Sequence, residues 1–257
     1  DVVSETGYGF DSQDPDPTYG TVGAARQAAV QRVLAYISSA LNENGTCDIV
    51  FSRSVHGTSL GLATGGTYFG GRAPAFVNGY AFQHITTNVD PSPSVADISL
   101  TFYFDFPSYA GTGTPSYNQY DLDTVLLHEI TRGLGIVSLS DATGRSTASP
   151  YLLSRWDSYL ETGSQKRLFD STTASFLGVA SDLTGAAGGV YFTGIFATQM
   201  FGGKPPVYAP STFQSGVSLG YWDVGGKIAG DAVMEPSVTV GTVLRAYAPV
   251  EIGRAHV

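Results

Sequence analysis

Long helical repeats of apolar residues occur only in the first half of this chain, and this asymmetry limits its fold more than any other feature. Residues 24–41 carry apolar side chains at helical spacing, and residues 42–45 supply a stop signal. A second helix, capped by Asp121 or Asp123, continues the same spacing through Leu134. The chain beyond it has few long periodic segments, although a short helix is expected over 151–160.

Between the two helices lie runs that are typical of strands. They cover residues 48–54, 80–88 and 97–106, and the last alternates with a period of two and is rich in aromatic and β-branched residues. These elements predict an α+β fold in which the whole chain of 257 residues forms one domain. A twisted mixed sheet with two helices is expected in an N-terminal lobe of about 20–137, and a loop-rich C-terminal lobe over about 138–250.

Charge and composition exclude several classes of protein. Thirteen Lys and Arg against 22 Asp and Glu give a formal net charge of -9, so the basic footprint of a nucleic-acid-binding protein is missing. No apolar run reaches the roughly 18 residues of a membrane span. The single cysteine, Cys47, excludes an internal disulfide. Few Lys, many Gly, Ser, Thr and Tyr, and an acidic balance favour a secreted or extracellular bacterial protein, expected as a monomer.

The second helix carries half of a zinc-binding motif. In His-Glu-x-x-His, two imidazoles one helical turn apart hold a zinc ion, and the glutamate activates its bound water. This chain has His128-Glu129-Ile130-Thr131-Arg132 instead. A guanidinium is permanently cationic and offers no lone pair, so Arg132 cannot be a metal ligand.

Segments further along the chain match the same type of site in order. Residues 191–194 and 202–213 precede Gly216-Val217-Ser218-Leu219-Gly220-Tyr221-Trp222-Asp223, and residues 231–237, which contain Met234, are similar to a Met-turn. Over roughly 24–250 the chain resembles the metzincin-type zinc metallopeptidases, in their leishmanolysin-like bacterial secreted branch. The resemblance implies a metzincin-like two-lobed domain of the catalytic type, a zinc cofactor and an extended peptide or protein substrate.

The same resemblance locates two departures from the family pattern. Arg132 stands at the position of the second zinc histidine and Tyr221 at the position of the third, so His128 is the one usual ligand that remains. The other imidazoles of the chain belong to His56, His84 and His256, and none lies at ligand spacing from His128.

Three functions stay open on the sequence alone. The first is a secreted hydrolase of the metallopeptidase type with a degenerate zinc site. In it His128 binds the metal, Glu129 polarises water, Tyr221 or Asp223 completes the shell and Met234 lies beneath the site.

The second function is a non-catalytic pseudopeptidase that binds proteins. In this hypothesis the guanidinium of Arg132 forms an ion pair with Glu129 and replaces the charge of the ion. The third is a metal-free esterase that uses Ser218 in its Gly-x-Ser-x-Gly motif, which requires a turn from a strand to a helix. A peptide partner is expected to pair with an edge strand within residues 80–106.

Overall fold

The computed structural model describes residues 7–43, 45–54, 63–71, 75–148, 152–223 and 232–252. Its helices are α1 (Val22–Leu41), α2 (Tyr80–Thr87), α3 (Leu122–Gly133), α4 (Ile195–Phe201) and α5 (Pro249–Ile252). Its strands are β1 (Pro15–Asp16), β2 (Gly20–Thr21), β3 (Ile49–Ser54), β4 (Ala63–Thr67), β5 (Ala75–Val77), β6 (Ile98–Tyr103), β7 (Ser108–Tyr109), β8 (Tyr120–Asp121), β9 (Leu152–Ser154), β10 (Leu160–Thr162), β11 (Val190–Phe192) and β12 (Pro206–Val207). The protein is therefore α+β, as its sequence predicts. No helix in the described ranges is both long and apolar enough to cross a membrane.

Both helices predicted from apolar spacing are confirmed, and each is held by a side-chain cap. The Thr21 side chain accepts a hydrogen bond from the Ala24 N–H at 3.1 Å, and Asn42 ends α1 in the left-handed conformation with φ 52°. At α3 the Asp121 carboxylate accepts the Thr124 N–H at 3.1 Å. Asp121, and not Asp123, is therefore the cap.

The strand predicted over 80–88 is wrong, because α2 occupies these residues. Ala81 and His84 are buried and lie three positions apart, which is the spacing of one helix face. The aromatic residues of this segment favour a strand on local propensity, but packing of that face decides the outcome.

The main sheet has the order β3-β6-β4. β3 pairs with β6 in parallel and β4 pairs with β6 in antiparallel fashion. The side chains of β6 alternate between buried and half-buried, which confirms the period-two prediction. Within the described residues β6 is therefore the central strand of this sheet.

The peptide-binding edge predicted within residues 80–106 is consequently wrong. That segment supplies α2 and the central strand β6, whereas β4 and β3 form the edges among the described strands. β4 was missed because Gly65 and Gly66 lower strand propensity. It is nevertheless a strand because its partner β6 offers a full antiparallel ladder.

The second half of the chain is built from short pieces, as predicted. β10, β11 and β12 form a small antiparallel sheet, while β5 pairs in parallel with β9. The short helix expected over 151–160 is only partly right, since a 3-10 helix at Trp156–Tyr159 lies between β9 and β10.

Two buried apolar clusters meet beside α3. One contains the inner faces of β6 and α3, and includes Leu100, Leu126 and Val233. The other surrounds Trp222 and includes Met234. Neighbouring residues Val233 and Met234 thus belong to different clusters, so the segment that carries them lies at the junction between the two parts of the core.

Candidate functional site

Helix α3 is anchored at its start and buried along almost its whole length. Asp121 forms an ion pair with Arg245, and Asp123 forms one with Arg32 at 2.8 Å. Of the residues of α3, Arg132 is the only one that is not buried. Among the side chains of this helix, that of Arg132 is therefore the most accessible to solvent or to a partner.

A backbone carbonyl at the junction of the two apolar clusters holds the His128 side chain in one orientation. Its side chain is 5% exposed, and its Nδ1–H donates a hydrogen bond to the Val233 carbonyl oxygen at 2.8 Å. A carbonyl can only accept, so the proton is on Nδ1 and a neutral ring has its lone pair on Nε2. This is the nitrogen that a ligand or a proton would use.

The segment that holds His128 is itself held by a buried carboxylate. Glu251 accepts hydrogen bonds from the Val233 N–H at 3.1 Å and the Met234 N–H at 2.7 Å. The Met234 carbonyl accepts the Trp222 N–H at 3.0 Å, and the Met234 side chain is fully buried. Glu251 thus positions His128 through one intervening peptide, and Met234 lies close to the chain segment of Tyr221.

Tyr221 stacks on His128. The ring centroids are 5.5 Å apart and the planes differ by 12°. Burial raises the pKa of the Tyr221 phenol, and the positive charge of Arg132 opposes that shift. Near pH 7 the residue is therefore a neutral phenol, which is a poor metal ligand.

Glu129 is a buried carboxylate beside the edge strand β4. It is 8% exposed, and its Oε2 atom has no hydrogen-bond partner among the described residues. Burial raises the pKa of Glu129, while the charges of His128 and Arg132 and the Gly65 N–H oppose the shift. A Cβ atom on Gly65 would lie 2.5 Å from Oε2, so only glycine allows β4 to approach this carboxylate.

Arg132 does not form the ion pair with Glu129 that the sequence predicts. Its guanidinium instead donates hydrogen bonds to the Gly65 carbonyl at 3.4 Å and the Gly216 carbonyl at 3.3 Å. The first carbonyl belongs to β4 and the second to the turn before Tyr221. Arg132 therefore bridges the main sheet and the second half of the chain, with weak, long hydrogen bonds at both ends.

Ser218 and Asp223 lie in the same turn region. Ser218 is buried, and its Oγ accepts the Gln214 N–H at 2.9 Å. It lies in a turn, and residues 219–223 after it are not helical, so the strand-to-helix geometry of a nucleophile elbow is not formed there. The Asp223 N–H donates to the Pro206 carbonyl at 3.0 Å, which ties the segment to β12.

The structure brings together His128, Glu129, Arg132, Tyr221 and the main chain of Met234. The sequence did not indicate Glu251 or Gly65. A carboxylate in the short run Pro-Val-Glu-Ile gives no local signal, and neither does a glycine within a Gly-Gly pair. His56, His256 and Asp231 of the Met-turn-like segment lie outside the described residues.

The residues present do not fit a zinc ion. His128 supplies one nitrogen, Tyr221 is a neutral phenol and the permanent charge of Arg132 repels a cation. A pocket lies between α2 and Trp156, and Glu251 lines it, but none of these three residues does. The site is therefore defined by its side chains and not by that pocket.

No protein-family model, no curated protein and no solved structure matches this chain. Its function is therefore inferred from the site alone.

Proposed function

We propose that this chain is a metzincin-like, two-lobed domain of the metallopeptidase type that binds an extended peptide without zinc-dependent hydrolysis. The observation that carries the proposal is the position of Arg132, which is the one outward-facing residue of α3 and bonds to carbonyls on both sides of the site. The positive charge of Arg132 takes the place of the charge that a metal ion would supply. Because a guanidinium cannot bind a metal, the site also lacks one ligand for such an ion.

The peptide would lie along β4. Among the described strands β4 pairs only with β6, so an added strand could pair with its other edge once Arg132 releases the Gly65 carbonyl. Main-chain pairing is independent of side chains, which suits a peptide of variable sequence.

Arg132 would fix the register of that peptide. Its two long hydrogen bonds to Gly65 and Gly216 are weak, so a stronger acceptor can replace them. A carboxylate or a carbonyl of the peptide is such an acceptor, and a charge-assisted bond to guanidinium is about twice as strong as a neutral one.

The experiment measures binding of fluorescein-labelled casein peptides by anisotropy, with and without chelator. We expect chelator-insensitive binding that Arg132→Ala weakens by roughly tenfold, the worth of one charge-assisted hydrogen bond. Arg145→Ala removes an exposed arginine and should leave affinity unchanged.

The rival outcome is catalysis. If the protein cleaves casein, and if a chelator and Glu129→Gln each abolish cleavage, the chain is a zinc hydrolase and the binding proposal is wrong. Chelator-insensitive cleavage that Ser218→Ala abolishes would point to the esterase function instead. The proposal that the protein acts outside the cell depends only on composition and on the family resemblance.

A further inference from the structure

We propose that Asp48, His84 and Asp97 form a binding site for one divalent transition-metal ion, separate from the His128 site. One ligand atom of each residue lies within 4.8 Å of those of the other two. No two of these residues are neighbours in the sequence, so the site is a product of the fold.

The parallel pairing of β3 and β6 brings the two carboxylates together. Ile49 is the partner of Ile98 in the ladder, so the preceding residues, Asp48 and Asp97, start the two strands side by side. The Asp48 N–H donates a hydrogen bond to Asp97 Oδ2 at 2.9 Å. The two acids thus begin neighbouring strands at one end of the sheet.

Helix α2 supplies the third ligand. His84 is 7% exposed, and its Nδ1 lies 2.8 Å from Asp97 Oδ2. Without a metal, Nδ1–H donates a hydrogen bond to Asp97 Oδ2, and Nε2 lies 2.9 Å from the Thr46 hydroxyl. A metal ion bound at Nδ1 would displace that proton, and the Thr46 hydroxyl could then accept a proton carried on Nε2.

Asp97 has binding capacity that the protein does not use. Its side chain is 1% exposed, and apart from a contact between the Cys47 thiol and this carboxylate, its second oxygen, Oδ1, has no hydrogen-bond partner among the described residues. No Lys or Arg in the described ranges forms an ion pair with Asp48 or Asp97. Even with a protonated His84, two carboxylates leave an excess negative charge that a divalent ion would neutralise.

The distances suit a small ion. Two ligand atoms that each lie about 2.1 Å from one metal are roughly 3.0–3.4 Å apart at bond angles of 90–110°. The 2.8 Å between His84 and Asp97 is already close to this separation. Asp48 is exposed, so its side chain can turn inward to close the remaining distance.

The ligand set favours zinc or a similar ion over calcium. One imidazole with two carboxylates suits Zn²⁺ or Mn²⁺, whereas Ca²⁺ prefers oxygen ligands alone. Cys47 lies beside the cluster, and its thiol contacts Asp97. Cys47 is not among the three residues whose ligand atoms converge, so the site does not rely on it.

The test is calorimetric titration of chelator-treated protein with ZnCl₂ in two buffers of different ionisation enthalpy. We expect one equivalent of zinc to bind, with release of a proton as the ion replaces hydrogen between His84 and Asp97. The midpoint of thermal unfolding should rise with zinc, because the ion ties α2 to the sheet.

Two variants assign the binding to this site. Asp48→Asn keeps the backbone bond to Asp97 and changes only an exposed side chain, so it should fold normally and bind zinc at least roughly tenfold more weakly. Asp105→Asn, which changes an exposed acid outside the cluster, should bind zinc as the wild type does. Absence of stoichiometric binding by the wild type, or equal affinity in Asp48→Asn, would overturn the proposal.

Discussion

Two histidines of this protein are fixed in similar ways but in opposite electrostatic surroundings. His128 donates Nδ1–H to a backbone carbonyl, stacks on a neutral phenol and shares its neighbourhood with Arg132. His84 places Nδ1 against Asp97, with Asp48 close by. The first histidine lies in half of a sequence motif and next to a permanent positive charge, whereas the second lies in no motif and next to two carboxylates. The comparison shows that a partial motif and a favourable local charge for a cation need not coincide.

The largest effect is expected from restoring ligands at the first site. Arg132→His combined with Tyr221→His would place three imidazoles around the His128 position and remove the repelling charge. We expect zinc affinity at that position to rise by roughly a hundredfold or more, and neither single change to recover all of it.

The titration should be made in an Asp48→Asn background, so that the His84 site does not contribute. If the double variant gains no zinc affinity there, side chains at positions 128, 132 and 221 do not converge on one point, and the contrast between the two histidines fails.

Removing the Glu251 carboxylate, which holds the segment bonded to His128, should lower the free energy of unfolding more than removing an exposed carboxylate does. Glu251→Ala leaves the buried N–H groups of Val233 and Met234 without their acceptor. We expect it to lower the free energy of unfolding by roughly 3 kcal/mol. Chemical denaturation followed by tryptophan fluorescence measures this, since Trp222 lies in the same cluster.

Glu43→Ala removes an exposed glutamate and serves as the control, with a change within about 0.5 kcal/mol. Equal destabilisation by the two substitutions would show that Glu251 does not hold the Val233–Met234 segment.

A pair of adjacent glycines tests how closely β4 approaches Glu129. In Gly65→Ala the new methyl would lie 2.5 Å from Glu129 Oε2, so the strand or the carboxylate must move, at an expected cost of roughly 1–3 kcal/mol. In Gly66→Ala the nearest atom is 3.8 Å away, so little steric cost is expected. Thermal unfolding of both variants measures the difference, and equal midpoints would contradict the close contact.

The smallest effect is a pH dependence. Burial raises the pKa of Glu129 above its unfolded value, so the folded protein binds this proton more tightly than the unfolded chain does. Its contribution to stability is complete below the unfolded pKa of about 4.3 and is lost as the pH rises through the folded pKa. Glu129→Gln should therefore resemble the wild type at low pH and be the more stable of the two at high pH.

Denaturation curves from about pH 4 to pH 8 measure this difference for both proteins. A wild type that gains stability over Glu129→Gln as the pH rises would mean that Arg132 and His128 stabilise the carboxylate more than burial disfavours it.

Local sequence patterns predicted the elements whose contacts are also local. The cap at Asp121 and the period-two alternation of β6 need only near neighbours, and both are found. The Gly-Gly strand β4 and helix α2 were missed because their conformations depend on β6 and on the buried faces of His84 and Ala81. The hydrogen-bond partners of side chains could be predicted even less well from the sequence than the strands and helices. Arg132 lies three residues from Glu129 but bonds to carbonyls 67 and 84 residues away in sequence.

The sequence by itself determined the α+β class and the two long helices, because periodicity and caps are properties of contiguous residues. Only the tertiary structure decided that Arg132 bridges two carbonyls, that Glu251 holds the segment of Val233, and that two acids meet His84 at the start of two parallel strands. These contacts depend on ladder register and on which faces are buried together, and neither quantity is fixed until distant segments pack.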